Sequence, residues 1–239
     1  MKNIALIFAG GTGQRMNTQT KPKQFLELHG KPIIVYTLNH FENHPEIDGI
    51  LIVCVENWID ELKKMIKLYT FEKIMKIVSG GDGADMSIYN GLKSLSEICK
   101  QDDIILIHDG VRPLINKDLI SANIAKVKKY GNAITVEAAR ESIVRLCENE
   151  RVIDVPPRES MYTAKAPQSF KFGDIWPLYQ RAQKEGVRTT DSAHLLSIYN
   201  VEMHTVESTP NNIKITAPAD YYIYRALYEA MENQQILGI

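Results

Sequence analysis

Short runs of Ile, Val and Ala alternate with longer stretches whose apolar positions recur every three or four residues, and this alternation limits the possible folds more than any other feature of the chain. The runs are Ile4 to Phe8, Ile50 to Val55, Ile74 to Val78, Ile104 to His108 and Ala133 to Val136, each bounded by polar residues or glycine. Runs that are apolar throughout suit strands covered on both faces, the condition of a parallel sheet. Between them, Ile33 to Phe41, Trp58 to Tyr69, Met86 to Ile98 and Lys117 to Lys129 carry the period of helices that cross over such a sheet. Later helices are expected at Phe172 to Lys184, Asp191 to Tyr199 and from about Asp220 to Met231, with a strand near Met203 to Val206. The fold class is therefore α/β with a mostly parallel sheet. The 239 residues suffice for a single domain spanning 1–239.

One stretch breaks the rhythm. From Glu141 to Ser169 polar and apolar residues alternate, with Pro156 and Pro157 in the middle. Prolines cannot donate to a strand ladder and suit edges and turns, so this stretch predicts a β arm, about 138–168, projecting from the main sheet towards a partner subunit.

Composition narrows the function classes. With 28 basic and 29 acidic residues the formal net charge is -1, so no global field would hold a nucleic-acid backbone or an acidic membrane surface. Any anion site must be local. Cys54, Cys99 and Cys147 are an odd, widely spaced set without the pairing that a disulfide framework or structural zinc requires, and they read as reduced thiols of a cytoplasmic protein. The N-terminal apolar run is too short to cross a bilayer and leads into a glycine loop. No targeting or membrane segment is expected.

The glycine loop, FAGGTGQRM, follows the first strand directly. Gly10, Gly11 and Gly13 allow a turn whose amides point at phosphate oxygens, and Ala9 opens it. It has no Gly-Lys-Ser/Thr ending, so it is not a Walker loop, and it lacks the third glycine of the dinucleotide fingerprint. A glycine turn is by itself a common structural device. Just beyond it, Arg15, Lys21 and Lys23 bring cations to where a triphosphate and a leaving pyrophosphate would lie. Nucleotidyl transfer needs such cations, because its barrier falls through positioning and neutralisation of charge.

Six blocks in order, GGTGQRM, PKQFLEL, GGDGADMSIYNGL, HDGVRP, PRESMYTAKAPQSF and NNIKIT, make the chain resemble the methylerythritol phosphate and ribitol phosphate cytidylyltransferases over nearly its whole length. The resemblance implies a Rossmann-like nucleotidyltransferase fold, CTP as co-substrate, magnesium as cofactor and a homodimer. It implies that Arg15, Lys23 and Lys214 act on the triphosphate and the transition state; Lys214, read without the family, is one lysine in a strand. It implies that Gly81, Asp82 and Ser87 hold and read the cytosine. Asp109, at the carboxyl end of an apolar strand where ligands bind in open α/β sheets, is implied at the substrate or the metal; the alternative without the family is an aspartate capping the turn before Pro113. Arg112, Ser142 and Arg158 are implied at the polyol phosphate, Arg158 from the neighbouring subunit. His108 reads as buried beside the site and not as a catalytic group.

Two positions depart from the family pattern. Ala84 stands where an arginine is common, and Ala166 where many relatives have threonine before Pro-Gln. Arg158, Met161-Tyr162, Pro167 to Phe170 and the valine of HDGVRP lean towards the ribitol 5-phosphate branch; the alternative acceptor is 2-C-methyl-D-erythritol 4-phosphate. An NAD-dependent oxidoreductase would share the sheet and the glycine turn, but it needs an acidic ribose-binding residue after the second strand, for which Asn57 to Asp60 is a poor match. A silent binding module would have no use for the cation set.

Overall fold

The computed structural model describes residues 1–10 and 21–237; Gly11, Gly13 and Arg15, singled out above, lie outside them. In chain order the strands are β1 (Asn3–Ala9), β2 (Glu27–Leu28), β3 (Lys31–Pro32), β4 (Gly49–Cys54), β5 (Ile74–Ser79), β6 (Ile104–Asp109), β7 (Asn132–Ala138), β8 (Arg145–Leu146), β9 (Val152–Asp154), β10 (Tyr162–Lys171) and β11 (Thr205–Glu207). The helices are α1 (Ile33–Glu42), α2 (Ile59–Leu68), α3 (Ala84–Leu95), α4 (Lys117–Tyr130), α5 (Phe172–Glu185), α6 (Ser192–Ile198) and α7 (Pro218–Leu237).

Seven strands form the central sheet in the order β11-β7-β10-β6-β1-β4-β5. Only β10 runs against its neighbours β6 and β7; the other pairings are parallel. In β1, β4 and β6 every second side chain enters one of two cores, which is why these segments read as unbroken apolar runs. On one face Ala5, Ile7, Ile50, Ile52, Ile104 and Leu106 pack under α1, α2 and α4. On the other, Ile4, Leu6, Leu51, Val53, Ile105 and Ile107 meet α3, α5 and α6. A third cluster, built around Leu28, Ile33, Tyr36 and Tyr224, fastens α7 to α1 and to the small β2-β3 ladder.

The expected fold class stands, with three corrections. β5 is an edge strand, not one buried on both faces: Met75 and Lys76 are exposed, and among the described residues no strand lies beyond it. The predicted arm is too long at its C-terminal end. Tyr162–Lys171 belongs to the central sheet, pairing with β7 through Tyr162 and with β6 through Gln168 to Lys171. Its proline is tolerated there because Pro167 sits at a shift in register, where no ladder hydrogen bond is owed. The short β8-β9 ladder, with Val144, Leu146, Val152 and Ile153 exposed, is what remains outside the sheet. Finally, Lys214 lies in an irregular segment, not a strand; the neighbouring Ile215 amide donates to the Val111 carbonyl at 3.0 Å.

Candidate active site

The carboxyl ends of β1, β5 and β6 open onto a cleft of about 390 Å³, lined by Ala9, Gly10, Lys23, Gly81, Asp82, Ser87, Asp109 and Lys214 among others. Residues from five of the six sequence blocks meet here, and the described part of the first block contributes Gly10. Two loops build the wall. Gly10 ends β1 so close to α3 that a Cβ would lie 2.8 Å from Ser87 Oγ, and one on Gly81 would lie 2.5 Å from Met86 Cβ; only glycine lets these backbones approach. Ser87 ties them down: its hydroxyl accepts from the Gly81 amide at 3.1 Å and donates to the Gly83 carbonyl at 2.8 Å. The buried Gln24 side-chain amide donates to the Ala9 carbonyl at 2.6 Å, and Phe25 stacks on Trp58 with ring centroids 4.7 Å apart. Lys23 is thereby held at the cleft on a fixed turn.

Asp109 organises the floor. Its carboxylate is buried and pairs with Arg112 Nε at 2.7 Å and with Lys214 Nζ at 2.5 Å. Burial alone would raise its pKa, yet the two cations outweigh that and hold the carboxyl well below the usual range, so it is ionised at neutral pH. Arg112 also donates from Nη1 to the Asn212 carbonyl at 2.9 Å, and the Asn212 side chain donates to the Ala166 carbonyl at 2.7 Å and to Ser208 Oγ at 3.0 Å. This network docks the segment carrying Lys214 onto β6 and β10. His108 is fully buried and its Nε2 lies 3.3 Å from the Arg112 carbonyl, to which it donates. Burial pushes its pKa down to about 3, so the ring is neutral at neutral pH and supports the turn.

A second cavity, of about 180 Å³, shares Phe8, Ala84, Asp109 and Lys214 with the first and continues along β10 past Arg112, Lys165, Ala166, Gln168, Thr190 and Asp191. Two compartments therefore meet at the Asp109-Lys214 pair. One has the glycine loops and suits a nucleotide; the other suits a second substrate. Ala84 and Ala166, the two departures from the family pattern, line the junction and the second cavity. Ser142 and Arg158 are exposed on the arm and are not among the residues that line either cavity within one chain.

Some residues of the site escape a reading by motif. Arg188, in the turn between α5 and α6, forks onto Asp85, with Nε 2.5 Å from Oδ2 and Nη2 3.2 Å from Oδ1, and donates to the Asp82 carbonyl at 2.7 Å. It clamps the Asp82–Asp85 turn from 103 residues away in sequence, a separation at which no spacing rule operates. Gln24 lay inside a recognised block, and the only available hint of its role was a polar residue beside an apolar Phe25. Lys165 sits in an alternating segment that reads as exposed.

A mostly parallel sheet with a glycine-walled cleft, cations from three separate segments and an adjoining second cavity defines a nucleotidyl-transferring enzyme. The match to a family model places it more closely. Residues 3–230 match the model of IspD, 2-C-methyl-D-erythritol 4-phosphate cytidylyltransferase, and the chain belongs to that family of cytidylyltransferases. It is 45% identical over 240 residues to the ribitol-5-phosphate cytidylyltransferase of Streptococcus agalactiae serotype V, covering 100% of both chains. It is 36% identical to the 2-C-methyl-D-erythritol 4-phosphate cytidylyltransferase of Clostridium botulinum (strain Loch Maree), covering 96% of this chain and 99% of the other. The crystal structure of 4-diphosphocytidyl-2C-methyl-D-erythritol synthase from Anaerococcus prevotii superposes with a TM-score of 0.83 at 24% identity, over 95% of this chain and 98% of that one, which confirms the fold.

Proposed function

We propose that the enzyme transfers CMP from CTP to D-ribitol 5-phosphate, releasing pyrophosphate and forming CDP-ribitol, a precursor for wall or capsule polymers. The observation that carries the acceptor is the end-to-end identity of 45% to a ribitol-5-phosphate cytidylyltransferase, against 36% to a methylerythritol phosphate enzyme. The two-cavity site supports the reaction. CTP is assigned to the glycine-walled cleft, with Gly81, Asp82 and Ser87 at the cytosine and Lys23 and Lys214 at the phosphates; Arg15, implied at the phosphates by the resemblance, lies outside the described residues. The acceptor enters the second cavity, phosphate foremost, to attack the α-phosphorus in line.

The nucleophile needs no general base, since a phosphate monoester has a second pKa of about 6 and is largely dianionic at neutral pH. The chain's task is to hold two anions together and to neutralise charge as the phosphorus becomes pentacoordinate. Lys214 is suited to this: its ion pair with Asp109 holds the ammonium at the junction. Arg112, on the other carboxylate oxygen, lines the acceptor side.

Magnesium is proposed as the counter-ion that CTP carries. Among the described residues no group of three or more His, Cys, Asp or Glu side chains is placed to hold a metal. Asp109 already has a cation on each oxygen, so it fits a role towards Lys214 and Arg112 better than direct ligation. A homodimer is proposed through the β8-β9 arm, whose apolar side chains are exposed and which carries Ser142 and Arg158 away from the chain's own cavities; Arg158 would then serve the partner's acceptor cavity. A cytoplasmic location suits an enzyme that draws on CTP and has three free cysteines; no helix among the described residues is long and apolar enough to cross a membrane.

The test is pyrophosphate release with magnesium and CTP, offering ribitol 5-phosphate, methylerythritol 4-phosphate and glycerol 3-phosphate separately. The highest kcat/KM is expected with ribitol 5-phosphate. A preference for methylerythritol 4-phosphate would overturn the acceptor.

A further inference from the structure

Lys165 shares with Arg112 a place on the acceptor side of the site. It lines the acceptor cavity but not the nucleotide cleft, whereas Lys214 lines both. It leaves the ladder at an irregularity in β10: Ala164 faces Val136 and Gln168 faces Ile134, so Lys165, Ala166 and Pro167 together oppose the single residue Thr135. Thr135 Oγ1 pins the bulge by donating to the Pro167 carbonyl at 2.6 Å. A bulge of this kind re-aims a side chain, and bulges recur beside active sites for that reason. The Lys165 side chain is only 19% exposed, and its Nζ is held 2.8 Å from Glu137 Oε2 on β7. The other oxygen of Glu137 takes Arg140 at 3.1 Å, which fixes the carboxylate from both sides. The flanking Ala164 and Ala166 are small and keep the approach to Lys165 open.

We infer that Lys165, positioned by Glu137, is a specificity-determining residue that recognises the hydroxyls of the acceptor's polyol chain. The inference rests on the acceptor occupying the second cavity, as proposed above. The acceptor's phosphate must lie at the junction with Asp109 and Lys214 to reach the α-phosphorus, so its carbon chain runs towards Lys165. A lysine neutralised by a carboxylate at 2.8 Å suits a neutral hydroxyl better than a second anion. An ammonium carries three donors, so it can engage a hydroxyl beside the carboxylate. The pair thus measures how far a hydroxylated chain extends from its phosphate, and distinguishes a five-carbon acceptor from a three-carbon one.

The experiment is steady-state kinetics of the full-length enzyme with CTP, comparing ribitol 5-phosphate with glycerol 3-phosphate for wild type, Lys165→Met, Lys165→Arg and Glu137→Gln. Lys165→Met is expected to raise KM for ribitol 5-phosphate about tenfold or more, the effect of one hydrogen bond to a charged group, with kcat and KM for CTP within about twofold. Glu137→Gln should move the same constant less, Lys165→Arg should recover part of it, and the preference over glycerol 3-phosphate should shrink in step. An unchanged acceptor KM in Lys165→Met, or an equal rise in KM for CTP, overturns the inference. Failure of the underlying acceptor assignment looks different: wild type then prefers methylerythritol 4-phosphate, and the same split between the acceptor and CTP constants is sought on that substrate.

Discussion

Replacing Asp109 by Asn tests the organising role of its carboxylate with little change of shape. Asp109 and Arg112 are both nearly inaccessible, with side chains 6% and 8% exposed, while Lys214 keeps 36% of its surface. Removing one partner of a buried pair costs about 3–5 kcal/mol, because the remaining charge stays desolvated. The low end applies here: Arg112 keeps its bond to the Asn212 carbonyl, and Lys214 can turn to water. A loss of about 3 kcal/mol corresponds to a fall in Tm of roughly 6–12 °C for a domain of this size. The pH dependence follows from the sign of the shift. A carboxyl whose folded pKa is depressed contributes stability that is full above its unfolded value, about 3.9, and that disappears as pH falls through the folded value. Wild type should therefore exceed Asp109→Asn in Tm by a constant margin at neutral pH, and the margin should close progressively below about pH 4. Thermal unfolding followed by fluorescence across pH 3 to 8, with pyrophosphate release at pH 7.5, reads both effects. Turnover should drop at least a hundredfold, since Lys214 loses its aim. A Tm within 2 °C of wild type together with near-normal kcat would refute the reasoning.

Three further substitutions separate the parts of the site. Lys23→Ala should lower turnover at least a hundredfold, the worth of one well-aimed charge at about 3 kcal/mol, with an unaltered circular dichroism spectrum; near-normal kcat would remove Lys23 from the mechanism. Arg188→Ala should raise KM for CTP several-fold and leave KM for the acceptor nearly unchanged, because it frees the Asp82–Asp85 turn; since Arg188 is 59% exposed, little change in Tm should accompany it, and equal effects on both substrates would contradict the clamp. Arg158→Ala should chiefly raise KM for the acceptor, and an effect confined to CTP would rule out its service to the acceptor cavity.

The local pattern determined much of this protein. Apolar runs such as Ile50 to Cys54 and Ile104 to Ile107 are buried on both faces, and a run with no polar face has no other stable place than the middle of a covered sheet. The helices between them follow from their period, and Gly10, Gly81 and Lys23, all within blocks recognised in the sequence, line one cleft. The edge position of β5 and the return of Tyr162–Lys171 into the sheet were not legible, because both depend on which strand lies alongside and not on the strand's own residues. Equally hidden were the pairings that give the site its electrostatics: Asp109 with Lys214, Asp85 with Arg188 and Glu137 with Lys165. Each joins charges far apart in the chain, and a charge reads as an ordinary solvated side chain until the fold removes its water and brings its partner within 3 Å. Sequence therefore determined which chemical groups the enzyme has and, for Asp109 at the end of an apolar strand, the element on which it lies. Tertiary structure alone decided which of them face one another, since Coulomb attraction and desolvation act through space and are blind to the order of residues.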